Sequence, residues 1–348
     1  MDLRQHRLHD WVTTRLSQLN LGEPTGPLQT VSGDASFRRY FRQHTASSQF
    51  ICVDAPPEKE DSRPFVAIAR NWFAQGVNVP QVLDVDFEQG FMLLSDFGDR
   101  LLLPELTADQ ADDLYDLAMD RLIDIQRTQP AADYPLPAYD AALLDREMAL
   151  FPDWYLTRHL GLSLDAHEQR LLTETFELLR DTAMGQPQVP VHRDYHSRNL
   201  MLVDDDNGQR QLGIIDFQDA VTGAFTYDLV SLLRDCYIQW PDEQVTAWAQ
   251  RYFEKAHAAG IAGGQSPEQL MLWFDWMGLQ RHIKVAGIFA RLHHRDGKSG
   301  YLNDIPLTLH YIESVAARYD GLSQFHQWLT DVVLPAQQAY EAARKVNN

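Results

Sequence analysis

Two cysteines in 348 residues, Cys52 and Cys236, give neither a disulfide framework nor metal-ligand spacing, and both stand in apolar stretches that read as buried packing. Basic residues are scarce as well: 30 Lys and Arg face 49 Asp and Glu, a formal net charge of −19. A surface of that sign does not replace the counterions of a nucleic acid, so no nucleic-acid partner is expected. No apolar run approaches the ~18–20 residues that span a bilayer, which leaves no membrane partner to expect. The opening Met1-Asp2-Leu3-Arg4-Gln5-His6 lacks the apolar core of a signal peptide. The expectation is a cytoplasmic protein, with no obligate protein partner evident. What is plentiful is core-forming material: 45% hydrophobic residues over this length suffice for one large or two medium domains.

The first hundred residues read differently from the rest. After a helix from about Leu3 to Leu19, short strand-like runs cover Leu28 to Ser32, Phe37 to His44 and Phe50 to Val53. Pro64 to Gln75 is helical, and two further strands fall at Gln81 to Phe87 and Phe91 to Leu94. From Leu106 onward apolar residues recur at three- and four-residue steps, beginning with Ala111, Leu114, Leu117, Leu122 and Ile125 behind a Thr107 N-cap. The expected fold is α+β, with a small antiparallel-sheet N-lobe over residues 1–98 and a mostly helical C-lobe over residues 99–348.

The densest chemical signal interrupts the helical half: His192-Arg193-Asp194-Tyr195-His196-Ser197-Arg198-Asn199, followed by Asp216-Phe217-Gln218-Asp219. Asn207-Gly208 lies midway and is a strong signal for a two-residue type I′ hairpin. That turn would oppose Val203 with Leu212, Met201 with Ile214 and Asn199 with Asp216, bringing the last pair within reach of one cation; the run Asp204-Asp205-Asp206 can lengthen the turn and shift the register. An Asp, then an Asn five residues on, then an Asp after a hairpin are the parts a kinase uses for phosphoryl transfer. Asp194 then orients or deprotonates the attacking hydroxyl, and Asn199 and Asp216 hold Mg²⁺ on ATP. The acidic balance does not oppose ATP, because a few local cations reverse the potential inside one cleft.

Other parts of such a kinase-like bilobal fold are placed by their position along the chain. Ser32-Gly33-Asp34-Ala35-Ser36 sits where a phosphate-covering loop belongs, although any hairpin turn has this composition. Arg38 and Arg42 alternate with Arg39 on the following strand, so one face can meet phosphate. Ser95-Asp96-Phe97 ends the last strand of the N-lobe, where adenine is held by backbone groups, and Met201 is a candidate floor under the base or simply core. The third strand, Phe50-Ile51-Cys52-Val53-Asp54, contains no lysine to hold the α- and β-phosphates. Lys59, Arg38 and Arg42 are the cations left to replace it. Asp219 reads as a contact to a substrate hydroxyl or a helix cap. Asp228 reads as a helix N-cap that also braces the catalytic loop.

His196 two residues after Asp194, Gln218 after Asp216-Phe217, and Tyr227-Asp228-Leu229 resemble the aminoglycoside phosphotransferase and choline kinase group. That resemblance implies a small-molecule acceptor and a place for His196 near the transferred phosphate. Ser32 to Tyr40, Asp54-Ala55-Pro56-Pro57-Glu58, Asp194 to Leu200, Ile215 to Ala220 and Gln280-Arg281-His282-Ile283-Lys284 resemble the bacterial anomeric N-acetylmuramate/N-acetylglucosamine kinases, and the missing third-strand lysine resembles that subgroup too. The resemblance implies phosphorylation of the anomeric hydroxyl of an amino sugar recovered from the cell wall. A lactyl carboxylate would suit the basic segment around Arg281 and Lys284, while Trp273 and Trp276 read as sugar-stacking residues or core. Two other readings are an aminoglycoside or other amino-alcohol kinase, and a nucleotide-binding scaffold without transferase activity.

Overall fold

The computed structural model describes residues 2–33, 37–205 and 207–347. Contacts divide the chain into two compact units, one of Met1–Glu105, Thr128–Leu136 and Arg198–Ala220, the other of Leu106–Arg127, Pro137–Ser197 and Val221–Asn348. The hairpin that carries Asn199 and Asp216 therefore groups with the N-terminal sheet.

In the first unit, helix α1 (Leu3–Gln18) starts where the Asp2 carboxylate accepts the Gln5 N–H at 2.8 Å. Its stripe of Leu8, Trp11, Val12 and Leu16 packs on Phe41, Phe50, Cys52, Phe91 and Leu93 from one face of the sheet. That sheet is antiparallel, in the order β1 (Gln29–Gly33), β2 (Arg39–His44), β3 (Gln49–Asp54), β5 (Phe91–Ser95), β4 (Val82–Asp86). Helix α2 (Arg63–Ala74) lies between β3 and β4 in sequence. Buried Asp54, at the end of β3, takes Arg4 from α1 and Arg39 from β2, which ties the helix to the sheet.

The second hairpin of this unit, β7 (Leu200–Asp204) and β8 (Arg210–Ile214), departs from the expected register by one residue. Leu202 faces Leu212 and Met201 faces Gly213, because the turn runs through Asp205–Gln209. The Asp205 carboxylate accepts the N–H groups of Asn207 and Gln209, and Asp205 N–H bonds to Gln209 C=O at 2.9 Å. An Asx-type turn has displaced the two-residue one. Both edges of this hairpin are occupied: Leu102 N–H donates to Leu200 C=O, and Asn78 receives Ile214 N–H while donating to Leu212 C=O. At Gly213 a Cβ would lie 2.5 Å from the Phe97 ring.

The second unit is helical. Its elements are α3 (Ala111–Gln126), α4 (Ala141–Met148), a π-helical stretch (Phe151–His159), α5 (Ala166–Met184), α6 (Tyr227–Leu233), α7 (Asp242–Ala258), α8 (Pro267–Asp296), α9 (Ile305–Ala316), α10 (Ser323–Trp328) and α11 (Leu334–Asn347). Thr107 does not cap α3; its carbonyl accepts Gln110 and Ala111 N–H in the preceding turn. A two-stranded ribbon, β6 (Gln188–Val191) with β9 (Val221–Ala224), was not foreseen from sequence. The 30-residue α8 starts at a Ser266 cap and stops at Gly297 in the left-handed conformation, φ 68°. From Met277 to Gly287 every residue of α8 is buried. Trp273 and Trp276 of α8 pack edge-on against Phe225 and Tyr319, so both serve as packing residues. Both cysteines are free and buried. Among the described residues no helix is long and apolar enough to cross a membrane.

Gly213→Ala is expected to cost about 1–3 kcal/mol through overpacking against Phe97. Adding Phe97→Leu should recover part of the lost melting temperature. Additive losses in that double variant would show that the two residues are not in contact.

Candidate active site

In the second unit the catalytic loop follows β6 and is held by two buried carboxylates. Asp228 on α6 accepts the backbone N–H of His192 at 2.6 Å and of Arg193 at 3.0 Å. Asp235, just past α6, accepts the Ser197 N–H at 3.0 Å, the Ser197 hydroxyl, and the Tyr237 N–H at 3.1 Å. Asp228 is thus a brace and not a cap, for α6 begins at Thr226. Between the anchors, the Asp194 N–H donates to His192 Nδ1 at 3.2 Å, His196 N–H donates to the Asp194 carbonyl at 3.0 Å, and the Tyr195 hydroxyl donates to Ala118 C=O at 2.8 Å. The His196 ring stands edge-on to Tyr237, centroids 5.3 Å apart.

A third anchor acts on a side chain. Glu147 of α4 receives the Arg193 guanidinium, the Tyr139 hydroxyl and, at 3.2 Å, the Lys284 ammonium; Lys284 also donates to the Tyr227 hydroxyl at 2.9 Å. Burial alone would push the Glu147 carboxyl up, but Lys284 and Arg193 hold it below its ordinary range. Lys284, expected on the substrate, is therefore engaged with Glu147. Asp194 follows the same pattern: burial works against its charge, and Lys284, His196, Arg281 and His192 outweigh it, so its carboxyl titrates below the usual range. An ionised carboxylate in a cationic setting can orient a hydroxyl and take its proton late in the transfer.

In the first unit, the register shift places Ile215 opposite Asn199, with Ile215 N–H on Asn199 C=O at 3.1 Å. Asp216 regains Asn199 by turning into the left-handed region, φ 65°, and the Asn199 amide donates to its carboxylate at 3.3 Å. Phe217 seats this turn by stacking on Phe65 and packing against Trp72 of α2. Gln218 donates to the other Asp216 oxygen at 2.8 Å, while its own Oε1 is buried without a hydrogen bond. Oxygen donors beside an unsatisfied acceptor fit a hard cation with its waters. Mg²⁺ is a cation that takes one or two protein oxygens and completes its shell with nucleotide phosphates and water. Asp219 is exposed in the turn that follows.

The nucleotide-side residues separate. Asp34, Ala35 and Ser36 lie outside the described residues; Ser32 and Gly33 end β1, paired with Tyr40 and Arg39. Arg38 is buried and ion-paired with Glu60 at 3.3 Å, and Glu60 also accepts the Phe37 N–H at 3.1 Å. Arg42 is bound by Asp96 and Asp99, and Lys59 lies over the Phe37 ring. Ser95 spends its N–H and Oγ on Gln81. Met201 bridges to Leu101, and Phe97 covers the Gly213 that Met201 faces. Sequence reading missed Glu147, Asp235 and Glu60; Glu147 follows Asp145-Arg146 and Asp235 follows Arg234, so no local pattern set either apart.

Burial pushes the Asp228 carboxyl up to about 7, against the pull of the His192 and Arg193 N–H groups. The folded chain then holds a proton that the unfolded chain releases near pH 4, so this contribution is complete below about pH 4 and lost as pH rises through about 7. Melting temperatures of the protein and of Asp228→Asn between pH 5 and pH 8 check this: the protein should lose stability relative to the variant as pH rises. A difference that does not change with pH would place the carboxyl at its ordinary value.

The chain matches the phosphotransferase enzyme family over residues 27–265. It is 43% identical over 336 residues to a protein of Pseudomonas aeruginosa named N-acetylmuramate/N-acetylglucosamine kinase, covering 95% of this chain and 97% of that one. A protein of the same name from Neisseria meningitidis serogroup B is 38% identical over 335 residues, with 95% and 96% covered. In fold, the chain resembles a choline/ethanolamine kinase family protein from Mesorhizobium loti, TM-score 0.61 at 14% identity over 92% of this chain and 99% of that one. It also resembles an ADP-bound aminoglycoside phosphotransferase, TM-score 0.54 at 15% identity over 86% and 97%. The α+β fold is that of the protein-kinase-like small-molecule phosphotransferases, and the chain belongs to the phosphotransferase enzyme family.

Proposed function

We propose that this protein is an ATP-dependent kinase of N-acetylmuramate and N-acetylglucosamine that phosphorylates the anomeric hydroxyl, in the recycling of cell-wall amino sugars. The observation that carries the reading is the catalytic loop. Its Asp194 is kept ionised, its backbone is fixed at both ends by Asp228 and Asp235, and it lies in a chain alike over 95% of its length to kinases of that name. Asp194 orients the acceptor hydroxyl and receives its proton. An anomeric hydroxyl is more acidic than an ordinary alcohol, which suits a carboxylate of low basicity. His196, two residues on, is the candidate group near the transferred phosphate, and Asp219 is the candidate contact to a sugar hydroxyl.

Asn199 and Asp216 would hold Mg²⁺, which supplies charge neutralisation on the β- and γ-phosphates when bound. Of the cations left to replace the missing lysine, Arg38 is buried and has the support of a half-buried glutamate, Glu60, next to α2. The pair reproduces the chemistry of a lysine held by a helix glutamate: a fixed cation for the α- and β-phosphates. Ser32 and Gly33 are the described candidates to cover those phosphates, and Phe97 and Met201, with the Ser95 segment, are the candidates to flank the base.

Phosphorus NMR of products formed from Mg²⁺-ATP with N-acetylmuramate, N-acetylglucosamine or an aminoglycoside tests this directly. A sugar phosphate signal split by the anomeric proton is expected with both amino sugars; phosphate appearing on the aminoglycoside alone would replace the reading with an aminoglycoside kinase. Asp194→Asn should retain nucleotide binding and lose roughly 10²–10⁴-fold in turnover. Asp216→Ala should lose metal-dependent nucleotide affinity.

A further inference from the structure

The buried middle of α8 carries four polar residues within five positions, Gln280, Arg281, His282 and Lys284, in a segment where the rest is apolar. Two of them are accounted for: His282 Nε2 is 2.9 Å from Arg234 C=O, and Lys284 serves Glu147. The other two are not. Arg281 is 4% exposed, yet among the described residues no carboxylate comes within ion-pair distance, and its Nη1 has only the Cys236 sulfur at 3.9 Å. Its Nε has no hydrogen-bond partner. Gln280 is 0% exposed, and neither end of its amide is satisfied. Buried polar groups are nearly always bonded, and a buried guanidinium without a counter-charge is among the costliest exceptions. Three such atoms on one helical turn are those of a wall awaiting a polar, anionic ligand.

The position of that wall is fixed by its neighbours. Residues 280 and 281 stand four and three positions before Lys284, on the same side of the helix. Lys284 leads through Glu147 to Arg193 at the start of the catalytic loop. Cys236, which Arg281 touches, follows Asp235, which holds Ser197 at the loop's end. Arg281 thus stands between the two anchors of the segment whose centre is Asp194. Burial works against its charge, and the Asp194 and Asp235 carboxylates help to sustain it.

Two anions pass such a place: a carboxylate on the acceptor, or the phosphoryl group itself. Of the acceptors in the kinase reading, on which this inference rests, N-acetylmuramate has a carboxylate and N-acetylglucosamine has none. A buried arginine built for that carboxylate would reject the second sugar by orders of magnitude; the phosphoryl group is common to both. We propose that Arg281 binds the phosphoryl group in flight, donating to its equatorial oxygens from within the chain. In the step it assists, the acceptor oxygen forms a bond to the γ-phosphorus, the bond from that phosphorus to the β,γ-bridging oxygen breaks with its electron pair leaving on ADP, and the acceptor proton passes to Asp194. Arg281 takes no proton and forms no covalent bond; it neutralises charge on the transferring group.

The test uses the full chain with Arg281→Met and Arg281→Lys, and reads four quantities: kcat and KM for each sugar, melting temperature, and calorimetric binding of ADP with aluminium fluoride in the presence of N-acetylglucosamine. For Arg281→Met, kcat should fall roughly 10³-fold or more on both sugars with KM little changed. ADP should bind as before, and the aluminium fluoride complex should be lost. An apolar chain of similar length removes the burial cost of the guanidinium but leaves the buried Asp194 with one cation fewer, so the melting temperature should change little. Arg281→Lys should restore part of kcat. A loss confined to N-acetylmuramate and appearing in KM would overturn the proposal in favour of a carboxylate site. A lowered melting temperature with no rescue by lysine would overturn it in favour of a structural role. An unmutated protein that transfers phosphate to neither sugar would remove the kinase reading and this inference with it.

Discussion

The chemistry of this chain depends on backbone hydrogen bonds to a carboxylate at the start of a short buried helix. Asp228 takes the N–H groups of His192 and Arg193 as the chain leaves β6, and so sets the direction in which the next residues run. A loop cannot satisfy its own amides inside a protein, and without that carboxylate two donors would be buried and unbonded. Asp235 does the same seven residues later for Ser197. With both ends fixed, Asp194 is placed by the backbone, and its side chain need only remain charged.

Charge is partitioned in a way that the bulk composition conceals. The chain as a whole is strongly acidic, yet the cations Lys284, Arg281 and Arg193, with the imidazoles of His192 and His196, surround Asp194. Glu147 is the one carboxylate placed among them that ties two of the cations to fixed positions, Arg193 from the loop and Lys284 from α8. The result is a site that keeps its carboxylate ionised in spite of burial. In the N-terminal unit a similar economy applies, where Arg42 is committed to Asp96 and Asp99 and Arg39 to Asp2 and Asp54, leaving Arg38 with Glu60.

Much of this was legible before any coordinates. The five strands of the sheet and the helix α2 follow from alternation and turn composition, and the Asp194, Asn199 and Asp216 spacing was readable because a hairpin restricts where two residues can meet. The register was misread by one because Asp205, not Asn207-Gly208, organises the turn: a side chain bonding its own backbone outcompetes a dipeptide preference. The Asn199–Asp216 contact nevertheless forms, through a backbone conformation that spacing cannot foresee. The β6–β9 ribbon escaped notice because its strands are four residues long and separated by the whole catalytic region. Trp273 and Trp276 at helical spacing proved to be packing residues, and the partner of Lys284 lay more than a hundred residues away on another helix, beyond the reach of any local pattern.

Among the described residues, the non-glycine positions with positive φ are Asn20, Arg193 and Asp216. Two of the three lie in the functional segments, and each such residue holds on the order of 1–3 kcal/mol of unfavourable backbone energy. Glycine would release that energy at both places and would remove the side chains that make them useful. Selection for robustness alone would therefore pull this chain towards glycine at position 216, whereas at position 193 the lost ion pair to Glu147 outweighs the strain released, so a long-lived but inactive descendant would be recognisable by glycine where Asp216 now stands and by an arginine kept at 193.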